Sequence, residues 1–265
     1  MVTINYNAIL ETAVRGARRA YVFMGLGLNA ASNPELKEYT LEGFGSIQIV
    51  PSNVDEHKIA RFKENFAAWV INNGLRELIE SFAVFLDQIY DASLRVAVSK
   101  KGFEPEEAKK RYSAFTMMGI DKKLKRLNEG FEITTNNSEH LNSIYLARNS
   151  LSHCLGLVGD FQCNYGSTLI LKWIGLDYVA ATEGGRAELI TGPFDSLKDM
   201  TIGIRWTERS LTFCLGSPVC LTPNALNEIC FFIWREANSI TASARNFAIS
   251  NGIPLSESNP PPSSV

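Results

Sequence analysis

The sequence predicts a mainly α protein, a helical bundle with a small antiparallel β elaboration inserted before the last helix. Three observations predict it. Apolar residues recur at helical spacing from Asp55 to about Ser99, a second periodic run covers about Pro223 to Ile249, and between them the texture turns to β-branched and aromatic runs parted by turn residues. Residues 1–160 read as the helical bundle, 161–250 as a β-hairpin segment plus C-terminal helix packed on the same domain, and 251–265 as a disordered proline- and serine-rich tail.

From Tyr6 to about Met24, Ile9, Ala13, Ala17 and Ala20 alternate with Arg15, Arg18 and Arg19 as in an amphipathic helix. GLGLNAASNP is expected to end it. Gly25 and Gly27 are spaced like part of a phosphate-binding loop, but no strand precedes them and no GKS or GKT follows. Tyr39 to Val50 reads as a short extended excursion. The long run after Asp55 carries Ile59, Phe62, Phe66, Trp69, Val70, Leu75, Leu78, Ile79, Phe82, Phe85, Leu86, Ile89 and Tyr90, a stripe suited to a core or a dimer seam, with Asn72-Asn73-Gly74 as the candidate break. PEEAKKRYSAF after Glu104 places a proline in a helical first turn. Lys109, Lys110 and Arg111, with Lys122, Lys123, Lys125 and Arg126, form the densest basic cluster, read as a solvated helix surface or a local contact to a phosphate backbone.

The segment Ser138 to Leu155 reads as a helix capped by Ser138. At about 100° per residue, Ile144, Ala147, Leu151, Cys154 and Leu155 fall on one arc, and Asn142, Tyr145, Arg148, Asn149, Ser152 and His153 on another. Solvated helix faces are mostly Lys and Glu, whereas Asn, Ser, Tyr and His lower helix propensity. That composition points to a role beyond solubility. Beyond Gly159, LILKWIGLDYVA, AELIT, MTIGIRW and LTFCL read as strands separated by EGG, GPFD and TERS. The last helix has Thr222 as N-cap and Leu226, Ile229, Phe232, Ile233, Ala237 and Ile240 on its buried side.

Composition limits the function classes. The net charge of -2 and pI near 6.0 provide no global attraction for nucleic acid, so any RNA-binding surface is local. Five cysteines without a C-x-x-C pair suit reduced thiols in a cytoplasmic protein, and three scattered histidines give no zinc-like spacing, so no metal and no cofactor is expected. No apolar stretch approaches membrane-spanning length, and no signal peptide or membrane association is expected. A GxSxG nucleophile elbow is absent.

RNSLSH, from Arg148 to His153 and followed by CLGLVGDF, resembles the Arg-polar-x-x-x-His signature of the HEPN superfamily, with Asn149 directly after the arginine and a glycine-containing exit at Gly156 and Gly159. The resemblance covers the motif helix and the helical region before it. It implies a metal-independent endoribonuclease acting as a homodimer on RNA, in a defence or toxin–antitoxin setting with an antitoxin or other protein partner. It also admits a non-catalytic dimeric binding or scaffold module. In the enzymatic reading Arg148, His153 and Asn149 are catalytic, and Tyr145, Asn142 and Ser152 contact substrate. The chemistry suits these types. Imidazole transfers protons near neutral pH, and a guanidinium presents paired N–H donors to phosphate oxygens. A single motif offers one imidazole where acid and base catalysis use two groups, and a two-fold axis beside the helix would supply the second.

Overall fold

The computed structural model describes residues 3–37, 39, 54–102, 104–181, 187–189 and 202–255. Among the described residues six helices, α1 (Tyr6–Ser32), α2 (Glu56–Lys101), α3 (Pro105–Thr116), α4 (Ile120–Phe131), α5 (Ser138–His153) and α6 (Pro223–Ser250), surround one apolar core. Three strands among the described residues, β1 (Thr168–Ala181), β2 (Ala187–Leu189) and β3 (Ile202–Cys214), lie between α5 and α6. The fold is mainly α, with an antiparallel sheet of order β2-β1-β3 before the last helix.

α1 does not stop at Met24. It runs through Gly25, which faces open space, and Gly27, which packs closely on α2, to Ser32. A Cβ on Gly27 would meet Val70 at 2.6 Å, and one on Gly16 would meet Ser81 at 2.2 Å, so both glycines let α1 lie directly on α2. Nor does α2 break at Asn72-Asn73-Gly74; it is one helix of 46 residues, and Leu226 of α6 fills the space at Gly74. The aromatic stripe on α2 divides at Val70. From there to Ala97 its apolar side chains are buried or half-buried except Val84, whereas Phe66 and Trp69 are exposed.

α4 is a helix beyond those the sequence predicts, with Ile120, Leu124, Leu127 and Phe131 on one buried face. It reorders the basic cluster. Lys123 points inward, ion-paired to Asp87 at 2.7 Å and set over the Phe115 ring, while Lys125 faces Glu129 across the helix surface.

The sheet corrects a second expectation. TERS is not a turn, so the runs on either side of it belong to one strand from Ile202 to Cys214, with Thr207 opposite Gly175 and Arg209 opposite Trp173. Polar residues sit in mid-strand because buried Asp177 on β1 accepts hydrogen bonds from Thr207 Oγ1 at 2.7 Å, from Arg205 at 3.1 Å and from Arg209. The other edge of β1 is guarded by side chains. The Asn164 amide accepts from the Ile170 N–H and donates to its carbonyl, and Ser143 Oγ does the same for Lys172. These bonds fix α5 against the sheet.

α6 is capped by Thr222, whose side chain accepts from the Ala225 N–H, and all six residues expected on its inner face are buried. The expected tail is ordered at its start. Ile253 is buried and Leu255 bridges to Ile4, because these apolar residues find the gap beside α1; residues 256–265 lie outside the described residues. So does nearly all of the Tyr39–Val50 excursion and the EGG and GPFD separators.

Candidate functional site

α5 spans sixteen residues from Ser138 to His153. Asn137, not Ser138, is its N-cap residue, and the Asn137 amide turns away from the helix to donate to Glu236 at 2.9 Å. Leu141, Ile144 and Ala147 face the bundle, while Ser143 and Ser150 are also buried. The helix stops two residues earlier than expected because Leu155 and Gly156 both adopt positive φ, at 52° and 85°, and the Gly156 N–H closes back on the Ser150 carbonyl at 3.0 Å. Leu155 therefore leaves the apolar arc. It is 98% exposed.

Arg148 is half-buried, with its side chain 19% exposed. Its Nη2 donates to Glu80 of α2 at 2.7 Å and its Nη1 to Asn149 Oδ1 at 3.2 Å. Nε is buried without a hydrogen-bond partner, and so is Ser152 Oγ. Glu80 was missed by the sequence reading. It sits 68 positions from Arg148 in a helix full of charges, and only the packing of α5 on α2 singles it out.

His153 is the last residue of α5 and is exposed. It stands about 7.5 Å along the helix from Arg148, so the two flank Asn149 without touching through the backbone. Tyr145 is half-buried over the start of α4; a Cβ on Gly119 would meet its ring and hydroxyl at 3.2 Å. Asn142 is half-buried one turn before it. The structure thus gathers Arg148, Asn149 and Glu80 into one bonded group, sets His153 at the margin, and places Tyr145 and Asn142 toward the first half of the helix.

The segment that follows His153 exposes apolar side chains. The segment after α5 is tied down by backbone bonds from Val158 to Ser217, Gly216 to Val158 and Val219 to Gly156, yet it holds Leu155, Leu157, Phe161 and Tyr165 outward, Phe161 at 93% exposure.

At the other end of α5, His140 Nε2 lies 3.0 Å from Glu208 Oε2, and Lys172 lies 3.5 Å from Glu208 Oε1. The His140 contact, followed by Lys172, holds the Glu208 carboxyl below its ordinary range. Sequence alone does not bring this group together, because Glu208 lies within TERS, a stretch that reads as a turn. Among the described residues no cluster of three or more His, Cys, Asp or Glu side chains could hold a metal ion. Cys154 donates weakly to Gln162, Cys163 packs on the Gly159 carbonyl, and burial pushes the Cys230 thiol up to about 12.

Comparison of the chain with protein-family models, curated proteins and solved structures returns no match.

Proposed function

We propose that the chain is a HEPN-type, metal-independent endoribonuclease that acts as a homodimer. The observation that supports this reading most is the makeup of α5. One helix carries a tethered arginine, the amide bound to it and an exposed terminal histidine, and an uncovered apolar platform follows at once. A second copy seated on Leu155, Leu157 and Phe161 would bring another His153 to the same cleft.

The chemistry then runs as an internal transesterification. One imidazole removes the 2′-hydroxyl proton, the 2′-oxygen attacks phosphorus, and the bond to the 5′-oxygen breaks. A second, protonated imidazole delivers the proton to that departing oxygen, leaving a 2′,3′-cyclic phosphate and a 5′-hydroxyl. Arg148 stabilises charge on the non-bridging oxygens, in competition with Glu80. Asn149 orients the guanidinium. Tyr145, Asn142 and Ser152 serve as substrate contacts along the helix, and a toxin–antitoxin or defence setting would add an inhibitory protein partner.

A specific observation also favours the alternative of a non-catalytic binding module. Arg148 already bonds to Glu80 and Asn149, a pairing that a purely structural clamp between α5 and α2 would require. The test is incubation of labelled tRNA and mixed RNA in EDTA with wild type, Arg148→Ala and His153→Ala, with fold and mass checked for each. Cleavage by wild type alone, leaving cyclic phosphate ends, supports the nuclease. A folded wild type that never cleaves rejects it, as does activity that needs added divalent metal.

A further inference from the structure

We infer that the junction of the sheet with α6 is a nucleobase-binding subsite that takes an unstacked base of single-stranded RNA. The inference deepens the ribonuclease reading and rests on it for the identity of the polymer. Trp206 of β3 stacks on Phe231 of α6 at 5.9 Å and 9°, and Phe231 in turn on Trp234 at 5.3 Å and 29°. All three rings remain exposed, and the Arg235 guanidinium, held by Glu236, lies 4.6 Å over Trp206. Beside this stack is a cavity of about 510 Å³. Its walls are Leu176 and Ile204 of the sheet and Phe231 of α6, and its rim carries Asn224, Asn227 and Glu228.

The composition selects the occupant. Flat aromatic faces here adjoin two exposed amides that no described residue engages. A planar ligand with hydrogen-bonding groups on its edge fits both parts, and Asn side chains pair with base edges while aromatic rings take the base face. A base inside a duplex is already stacked and paired, so the strand must be single. The placement also suits a substrate of the candidate site. Trp206 shares a face of β3 with Glu208, which His140 at the start of α5 contacts, and Arg148 stands about 12 Å further along that helix. A strand with one base on Trp206 can lead its next phosphates along α5 toward Arg148.

The test measures binding of fluorescein-labelled 2′-O-methyl octa-adenylate and octa-uridylate, which cannot be cleaved, by fluorescence anisotropy. Tryptophan, asparagine and arginine variants are compared, and tRNA cleavage in EDTA is followed in parallel. Wild type should bind. Trp206→Ala should weaken binding about tenfold or more, a loss of about 1.4 kcal/mol or more that falls in the range of one base stack. Trp206→Phe should stay close to wild type, Asn227→Ala should weaken binding severalfold, and Trp206→Ala should raise KM for cleavage without lowering kcat. Unchanged binding by Trp206→Ala and Asn227→Ala while wild type cleaves RNA would overturn the subsite and leave the nuclease reading standing. Trp206-dependent binding without any cleavage would support the subsite and remove the nuclease. A wild type that neither binds nor cleaves sinks both. A Trp206→Ala protein that binds RNA normally but changes its oligomeric mass would reassign the shelf to a protein interface.

Discussion

At Arg148 the guanidinium is shared between Glu80 and Asn149, so a phosphate arriving there must displace a carboxylate. Glu80→Gln is expected to tighten RNA binding a few fold in the nuclease reading, with a stability change under about 1 kcal/mol because the Glu80 side chain is about half exposed. Paired chemical melts of Glu80→Gln and Arg148→Ala check the alternative: a clamp would make each substitution clearly destabilising and the pair non-additive. Lys123 gives the opposite case. Buried with Asp87, whose carboxyl is raised by burial and held back by Lys123, it leaves an uncompensated charge when removed. Lys123→Met should cost about 3 kcal/mol at neutral pH in urea unfolding. The cost should shrink as pH falls and Asp87 takes up a proton. Sequence reading found Arg148, Asn149 and His153 because they are neighbours on one helix, but placed Lys123 on the surface. The charge pattern of α4 alone does not say which lysine meets an aspartate from α2.

Among the elements, the β1–β3 ribbon depends on Asp177. Hydrogen bonds from Thr207 and then Arg209, with Arg205, hold its carboxyl down to about 2. In the unfolded chain it returns to the ordinary aspartate value near 3.8, so the stabilisation is full above about pH 4 and is lost as pH falls toward 2. The contribution is on the order of 1–2 kcal/mol. Denaturant melts of wild type and Asp177→Asn at pH 6 and pH 2.5 should therefore differ at the higher pH and converge at the lower. A gap that widens on acidification would refute this assignment. The same network explains why β3 was hidden in the sequence. Thr207, Glu208, Arg209 and Ser210 look like a turn until Asp177 is seen opposite them. By contrast, the register of α6 was readable, since Thr222, Pro223 and a single apolar face all agree on where it starts and which side it buries.

For the whole molecule, the apolar core unites α1, α2, α5 and α6, and periodicity alone carried that much of the fold. The extension of α1 through its glycines was not legible, because a glycine that ends a helix and one that admits a neighbouring helix look alike in sequence. If the platform after α5 seats a second copy, Leu155→Asp with Phe161→Asp should give a folded monomer by light scattering and abolish metal-free RNA cleavage. A double variant that remains dimeric would exclude that seat. The unbroken α2 has a mechanical consequence as well. From Glu56 to Gly74, where Leu226 presses against it, the rod is about 27 Å long, and from Gly74 to Glu80 only about 9 Å. With α6 as fulcrum, a push at the Glu56 end, beyond Phe66 and Trp69, reaches the carboxylate holding Arg148 with its travel reduced roughly threefold and its force raised in the same proportion.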